Sequence, residues 1–176
     1  RHGSTFVGAF RDEGYLPEAI LDYLALVGWS AGGGEEGEIF SFDELAARFD
    51  LDHVNKTGGI FDYTKLRWMN GVYIRKMGAE ELHARLRPFL AAAGFAVDDE
   101  KLMKIIPHIQ ERLELLPDAA PLVDWLFNES IERDMAAALK KDMDKDTAAV
   151  ILTKVSGKIA AMQSFDVSSI ETALHG

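Results

Sequence analysis

The sequence of 176 residues contains no cysteine. This absence excludes disulfide bonds, catalysis by a cysteine thiolate, and zinc or iron–sulfur sites with cysteine ligands. A chain without cysteine also fits a reducing compartment, so we expect a cytoplasmic protein. No apolar run approaches the roughly 18 to 20 residues that cross a bilayer, so the sequence predicts no membrane partner.

The chain also lacks an excess of positive charge, since its formal net charge is -10. This charge argues against a non-specific coat for nucleic acid, which needs clustered Lys and Arg. Residues 63–87 differ, because six cations there stand against two glutamates and give a local net charge of +4. A polyanion should therefore meet this segment first. The six cations are Lys65, Arg67, Arg75, Lys76, Arg85 and Arg87.

Almost no stretch alternates between apolar and polar residues, and apolar residues instead recur every three or four positions. This spacing predicts a mainly α chain. Pro17 is typical of a helix first turn, and Ser41 with Glu44 forms a capping-box motif that begins another helix. From residue 79 onward the pattern is helical throughout. Pro88 is expected to bend or restart one of these helices, and Pro107 to start a new segment.

The densest stretch is residues 61–75, FDYTKLRWMNGVYIR. Asp62 can cap a helix start, because its carboxylate can accept from amides two or three residues later. Asn70 followed by Gly71 is typical of a helix end. We therefore expect a helix of about two turns, with Arg75 just beyond its end.

Two interpretations of the charges in this stretch stay open from the residues alone. Leu66 and Met69 would face the core, while Lys65 and Arg67 would lie off that face. Exposed cations on a short helix favour an anionic partner. Equally, they are ordinary solvated charges beside a buried Trp68.

No catalytic or metal-binding arrangement stands out. The five histidines are scattered and lack His-Glu-x-x-His spacing. Neighbouring carboxylates lie where helix N-termini favour negative charge. The Gly-rich residues 31–37 lack the Lys and Ser/Thr of a phosphate-binding loop, and Ser156 lacks the Gly-x-Ser-x-Gly context of a hydrolase. We expect no catalytic residue and no metal site in this chain.

Three segments carry a resemblance to a known family. Residues 14–19 (GYLPEA), 23–30 (YLALVGWS) and 61–75 closely resemble, in this order, bacterial glutamyl-tRNA synthetase downstream of its catalytic domain. The first residues, RHG, resemble the end of that family's Lys-Leu-Ser-Lys-Arg loop, which helps to hold ATP; only Arg1 of the loop remains. The resemblance thus indicates the C-terminal part of a longer enzyme, as does the absence of a starting Met.

The resemblance implies a parent protein that is a class I aminoacyl-tRNA synthetase. This glutamate–tRNA ligase would attach glutamate to tRNA in a reaction that needs ATP and Mg²⁺. The family's His-x-Gly-His motif and nucleotide-binding domain are absent here, so the fragment is expected to be inactive and to hold no cofactor. It would bind glutamate-specific tRNA as a cytoplasmic monomer, orient it and read its anticodon.

The resemblance also implies a division of the chain into three parts. Residues 1–78 would form a stem-contact helical module, residues 79–130 a first helical anticodon-binding domain, and residues 131–176 the beginning of a second, truncated one. Arg112 resembles the arginine with which the family reaches the anticodon. The cations expected to contact the tRNA stem are Lys65, Arg67, Arg75 and Lys76.

An alternative from another class stays open at this point. The chain could be a stand-alone helical protein-interaction module whose basic stripe meets an acidic protein. Codons for Lys-Leu-Ser-Lys upstream of Arg1 would favour the tRNA interpretation, whereas a start codon there would favour the interaction module.

Overall fold

The computed structural model describes residues 6–29, 39–54, 59–128, 139 and 143–175. Helices account for 73% of these residues, and no strand lies among them, which confirms the prediction of a mainly α chain. The chain divides into two compact units between residues 131 and 132, here called unit 1 and unit 2.

Unit 1 contains seven α-helices in its described residues. They are α1 (Val7–Asp12), α2 (Pro17–Leu26), α3 (Phe42–Arg48), α4 (Tyr63–Lys76), α5 (Ala79–Ala92), α6 (Asp99–Ile109) and α7 (Ala119–Phe127). Short 3₁₀ turns at Leu51–His53, Gln110–Arg112 and Leu116–Asp118 connect some of them.

The helix starts follow the capping signals of the sequence. The Asp62 carboxylate accepts hydrogen bonds from the amides of Thr64 and Lys65, at 2.8 and 3.1 Å, and so begins α4 as predicted. At α3 the Ser41 amide donates to the Glu44 carboxylate at 2.8 Å, and the Glu44 amide donates to the Ser41 hydroxyl at 3.3 Å. Such side chains satisfy amides that have no partner inside the helix.

The helix ends follow the sequence less closely. The sequence predicts that α4 ends at Asn70 and Gly71, but the helix continues to Lys76. Both residues are buried and keep the helical backbone because they meet another part of the chain there. Pro88 and Pro107 both lie inside helices, so Pro107 does not start a new segment. A proline removes one intrahelical donor, and the buried apolar stripes of α5 and α6 continue across it.

The largest hydrophobic core of unit 1 joins α2 and α4 to α5, α6 and α7. Its side chains come from both sides of residue 78, so the described residues 6–128 pack as one body. The functional boundaries at residues 78 and 130 stay predictions. Fully buried members of this core include Leu16, Ile74, Leu82, Leu86, Leu90, Leu102, Ile106, Leu113 and Val123.

Unit 2 contains α8 (Lys145–Ala160) and α9 (Val167–His175), which pack on each other. Asp144 caps α8 by accepting from the Thr147 amide at 2.7 Å. None of the described residues of unit 2 is buried. In the parts of the chain that the structure describes, no helix has the length and apolar character to cross a membrane.

Candidate nucleic-acid interface

Helix α4 has one face in the core and one toward solvent. Its buried positions are Leu66, Met69, Asn70, Gly71 and Ile74. The residues on the opposite side recur at spacings of four and three, which places them in one stripe. We call this stripe the outer face of α4, and it consists of Trp68, Val72 and Arg75, with Lys65 and Lys76 along its edge.

Trp68 on this outer face is 44% exposed, so the interpretation of a buried Trp68 is wrong. The indole cannot point inward because Leu66 and Met69 already occupy the core side of the same turn. Indole rings present a large flat surface with one donor, and proteins use such surfaces to contact other molecules. Trp68 thus shares the solvent-facing side of α4 with three cations, Lys65, Arg75 and Lys76.

Arg67 lies off the outer face and is tied to a distant segment. Its Nε donates to the Glu114 carboxylate at 2.6 Å, and its Nη2 donates to the Asp118 carboxylate at 3.0 Å. The hydrogen bond to Glu114 raises the pKa of Arg67 above its ordinary value. Arg67, predicted as a stem contact, therefore also fastens α4 to residues 114–118.

Two further cations of the basic segment are paired as well. Arg85 binds both carboxylate oxygens of Glu18, at 2.7 and 3.0 Å, and also Glu81 at 2.7 Å. Its hydrogen bonds lower the pKa of Glu18. Arg87 donates to Asp99 at 3.0 Å. The local excess of positive charge is therefore smaller in the fold than in the sequence.

The remaining predicted contacts differ in their surroundings. Lys65 is half-buried and has an interaction of its own. Arg75 is half-buried, whereas Lys76 and Arg112 are exposed. Across residues 6–29, 39–54, 59–128 and 143–175, none of Arg75, Lys76 and Arg112 forms an ion pair. Of the predicted contacts, these three are the best placed to meet an anion.

The turn that carries Arg112 is attached to the end of α4. The side-chain amide of Gln110 donates to the carbonyl oxygens of Ile74 and Met77, both at 2.8 Å, and lies 3.3 Å from that of Arg75. Carbonyls in the last turn of a helix have no partner inside it, so Gln110 satisfies them. The structure thus brings the turn Gln110–Arg112 against the last turn of α4.

Asn70 forms a second attachment that sequence reasoning missed. Its Oδ1 accepts from the Leu16 amide at 2.7 Å, and its Nδ2 donates to the Glu114 carbonyl at 2.5 Å. A Cβ at Gly71 would lie 3.3 Å from the Leu113 carbonyl oxygen, so the backbones come close there. The signal was available, because Asn70 lies four residues from both Leu66 and Ile74 on the apolar stripe.

A third polar group lies where α2 meets α4. The buried Asp22 carboxylate accepts from the Phe40 amide at 3.0 Å and from the Tyr73 hydroxyl at 2.9 Å. The Tyr73 hydroxyl is also 2.6 Å from the Phe40 carbonyl, so one proton is shared between two acceptors. Burial raises the pKa of Asp22, and burial together with the neighbouring Asp22 raises the pKa of Tyr73.

Other predicted or potential sites are limited by the described ranges. Arg1, the predicted remnant of an ATP-holding loop, lies outside the described residues. Residues 28–32, GWSAG, match the letters of Gly-x-Ser-x-Gly, a match that sequence reasoning missed. The hydrolase motif needs a preceding strand, whereas the helix α2 precedes Gly28. The described residues contain no group of three or more His, Asp or Glu side chains that could hold a metal ion.

Comparison with known families gives two matches along the chain. A family model described as "Anticodon binding domain" matches residues 81–176. A second, described as "tRNA synthetases class I (E and Q), catalytic domain", matches residues 1–68.

The similar proteins and the solved structure described here are glutamate–tRNA ligases. A glutamate–tRNA ligase from Herpetosiphon aurantiacus is 38% identical over 99% of this chain, and one from Dichelobacter nodosus is 38% identical over 99%. The chain spans 36% of the length of each. A solved structure from Elizabethkingia meningosepticum, a glutamate tRNA ligase in complex with its amino acid, is 32% identical with a TM-score of 0.79. That match covers 94% of this chain and 32% of the other.

The relatives and the solved structure agree with the resemblance to glutamyl-tRNA synthetase, although the model that matches residues 1–68 is described as that of the catalytic domain rather than of a region downstream of it. The anticodon-binding model covers more than half of the chain, and the fold matches that of a solved glutamate tRNA ligase. The chain therefore belongs to the anticodon-binding domain family, and it is similar to the part of glutamate–tRNA ligases that contains this domain.

Proposed function

We propose that this chain is the tRNA-binding part of a glutamate–tRNA ligase, which orients tRNA and reads its anticodon. The match of residues 81–176 to the anticodon-binding domain carries this proposal. The parent enzyme would attach glutamate to tRNA with ATP and Mg²⁺ in the cytoplasm, and the fragment would be a monomer without catalytic activity. No step of that reaction is assigned to a described residue.

The outer face of α4 would bind the tRNA stem. Arg75 and Lys76 carry charge without an ion pair in the described part of unit 1, and Trp68 beside them offers a flat apolar surface. Cations bind phosphate oxygens and fix the register of the nucleic acid without reading its sequence. Arg67 would have to give up two ion pairs to reach a phosphate, so we expect it and Lys65 to contribute less than Arg75 and Lys76.

Arg112 would contact the anticodon. It is exposed on a short turn whose first residue, Gln110, donates from its side chain to the Ile74 carbonyl of α4. A guanidinium group has a planar fork of donors that can bind two acceptors on a base edge. Bases in an anticodon loop are accessible on these edges because they are not paired within a helix. Arg112 would therefore distinguish tRNAs, whereas Arg75 and Lys76 would not.

The alternative of a stand-alone interaction module is not favoured, because one matching family model describes an anticodon-binding domain and the other a tRNA synthetase domain. A direct test compares the affinity of the 176-residue chain for glutamate tRNA, for the same tRNA with an altered anticodon, and for an acidic protein. We expect tighter binding of the first tRNA. Equal, negligible binding of both tRNAs at low salt would contradict the proposal, and tight binding of the acidic protein alone would favour the module.

Variants assign the two roles. Arg112→Ala should reduce the preference between the two tRNAs at least about fivefold, as expected for a lost base contact. Arg75→Ala should weaken both tRNAs by the same factor. Arg11→Ala removes an exposed cation from α1 and serves as the control, because it changes the net charge equally and Arg11 is not part of the outer face of α4.

A further inference from the structure

Gln110 has a side chain that binds backbone rather than solvent. It is half-buried, and its amide nitrogen lies 2.8 Å from the carbonyl oxygens of both Ile74 and Met77. The same nitrogen lies 3.3 Å from the Arg75 carbonyl oxygen. One amide group thus meets carbonyls in the last turn of α4 and at Met77 just after it. Gln110 therefore has its donors occupied within the protein and is not itself placed to bind RNA.

The turn Gln110–Arg112 has few hydrogen bonds of its own to hold it. A 3₁₀ helix of three residues has poor hydrogen-bond geometry and is common only in short pieces. Here the Leu113 amide donates to the Gln110 carbonyl at 3.2 Å. The Gln110 side chain attaches the start of the turn to α4. Beyond the turn, the Glu114 carbonyl accepts from the Asn70 side chain on the same helix. Arg112 lies between these two attachments.

We propose that Gln110 is a positioning residue for Arg112, and this proposal rests on the proposed function. The hydrogen bonds from Gln110 to the end of α4 fix the backbone from which the Arg112 guanidinium reaches the anticodon. A contact that reads a base edge requires its side chain to be held close to the productive geometry, since ordering it on binding lowers affinity and selectivity. Loss of the Gln110 donors would therefore reduce anticodon discrimination without removing any RNA contact.

The test measures the affinity of the 176-residue chain for glutamate tRNA and for the same tRNA with an altered anticodon. Gln110→Met keeps the length of the side chain but has no donor. We expect it to lower the ratio of the two affinities at least about fivefold, toward the value of Arg112→Ala. In the Arg112→Ala background, Gln110→Met should change the ratio no further, because Gln110 acts through Arg112.

Two more variants separate positioning from stability. Asp98→Ala removes the cap at the other end of α6, where Asp98 accepts from the Lys101 amide, and should lower the melting temperature while leaving the affinity ratio unchanged. Gln110→Lys restores donors at a helix C-terminus, where a cation is favourable, and should keep the ratio. If Gln110→Met does not fold, Gln110→Lys decides: a retained ratio supports the proposal and a lost ratio overturns it.

Two outcomes overturn the proposal in distinguishable ways. If Arg112→Ala lowers the affinity ratio but Gln110→Met weakens both tRNAs equally, Gln110 is structural only, and the proposed function stands. If Arg112→Ala leaves the ratio unchanged, the anticodon role of Arg112 and the positioning role of Gln110 both fail.

Discussion

Asn70 joins three segments of unit 1 by polar contacts. One side chain binds the Leu16 amide at the start of α2 and the Glu114 carbonyl after the Arg112 turn. A buried polar group that loses its hydrogen-bond partner in the fold still bonds to water in the unfolded state. Its loss therefore costs more stability than an ordinary hydrogen bond contributes. Three segments of the chain therefore depend on one amide.

Asn70→Ala should lower the free energy of unfolding by about 2–4 kcal/mol, since it leaves the buried Leu16 amide and the part-buried Glu114 carbonyl unpaired. Chemical denaturation followed by circular dichroism measures this change. Asn128→Ala is the matched control, because Asn128 binds Asp124 on the surface, and it should cost less than about 0.5 kcal/mol. Equal effects of the two substitutions would contradict the role given to Asn70.

Asp22 makes the stability of unit 1 depend on pH. Burial raises its pKa above the ordinary value of 3.8, so the folded state binds the proton more tightly than the unfolded state. The stabilisation from the protonated carboxyl is present below the unfolded pKa and is lost as pH rises through the raised folded pKa. Charges near Asp22 that modify this include Lys76 and Glu44.

Asp22→Asn removes this titration while it keeps an oxygen that accepts from Phe40 and Tyr73. The free energy of unfolding of the native chain, minus that of the variant, should fall as pH rises from about 4 through the raised pKa of Asp22. Urea denaturation at a series of pH values measures the difference. A difference that rises with pH across this window would show that the fold lowers the pKa of Asp22, and a flat difference would show that the fold leaves it unchanged; either result would contradict this account.

At the scale of elements, α4 shows which features the sequence predicts. Its start depends on Asp62 and the next three residues, so local chemistry is sufficient to predict it. Its end depends on whether Gly71 is free to leave the helix. In the fold, the Leu113 carbonyl and Glu114 lie against Gly71, and this contact comes from more than 40 residues away. The sequence window contains no signal for it.

The glycines of α4 and α8 should respond oppositely to alanine. Alanine is favoured over glycine in a helix by about 1 kcal/mol. At Gly157, no atom lies within 4 Å of the new Cβ, so Gly157→Ala should stabilise α8 by up to that amount. At Gly71, the Cβ would lie 3.0 Å from Arg75 and 3.3 Å from the Leu113 carbonyl, so Gly71→Ala should destabilise unit 1 instead.

Amide hydrogen exchange measures both glycine variants helix by helix. Protection in α8 should increase for Gly157→Ala, and protection in α4 should decrease for Gly71→Ala. Increased protection in both helices would mean that α4 and residues 113–114 do not approach closely.

At the scale of the whole molecule, the fold redistributes the charge that the sequence displays. The six cations of residues 63–87 appear as one basic segment, yet Arg67 pairs with carboxylates 47 and 51 positions away and Arg85 with one 67 positions away. Periodicity and capping predict helices because they are local. They cannot predict these pairs, which depend on how the helices pack, and so the sequence could not separate paired cations from available ones.

The main proposal for function is that Arg75 and Lys76 bind tRNA phosphates. The measurement that tests it is the affinity of the chain for glutamate tRNA at several salt concentrations, for the native chain and for the double variant Arg75→Ala, Lys76→Ala. The logarithm of the affinity falls with the logarithm of the salt concentration, and each phosphate contact to a duplex contributes about 0.9 to the steepness of this fall. The double variant should therefore make the slope shallower by about 2. An unchanged slope, or a native chain that does not bind tRNA at low salt, would contradict the claim.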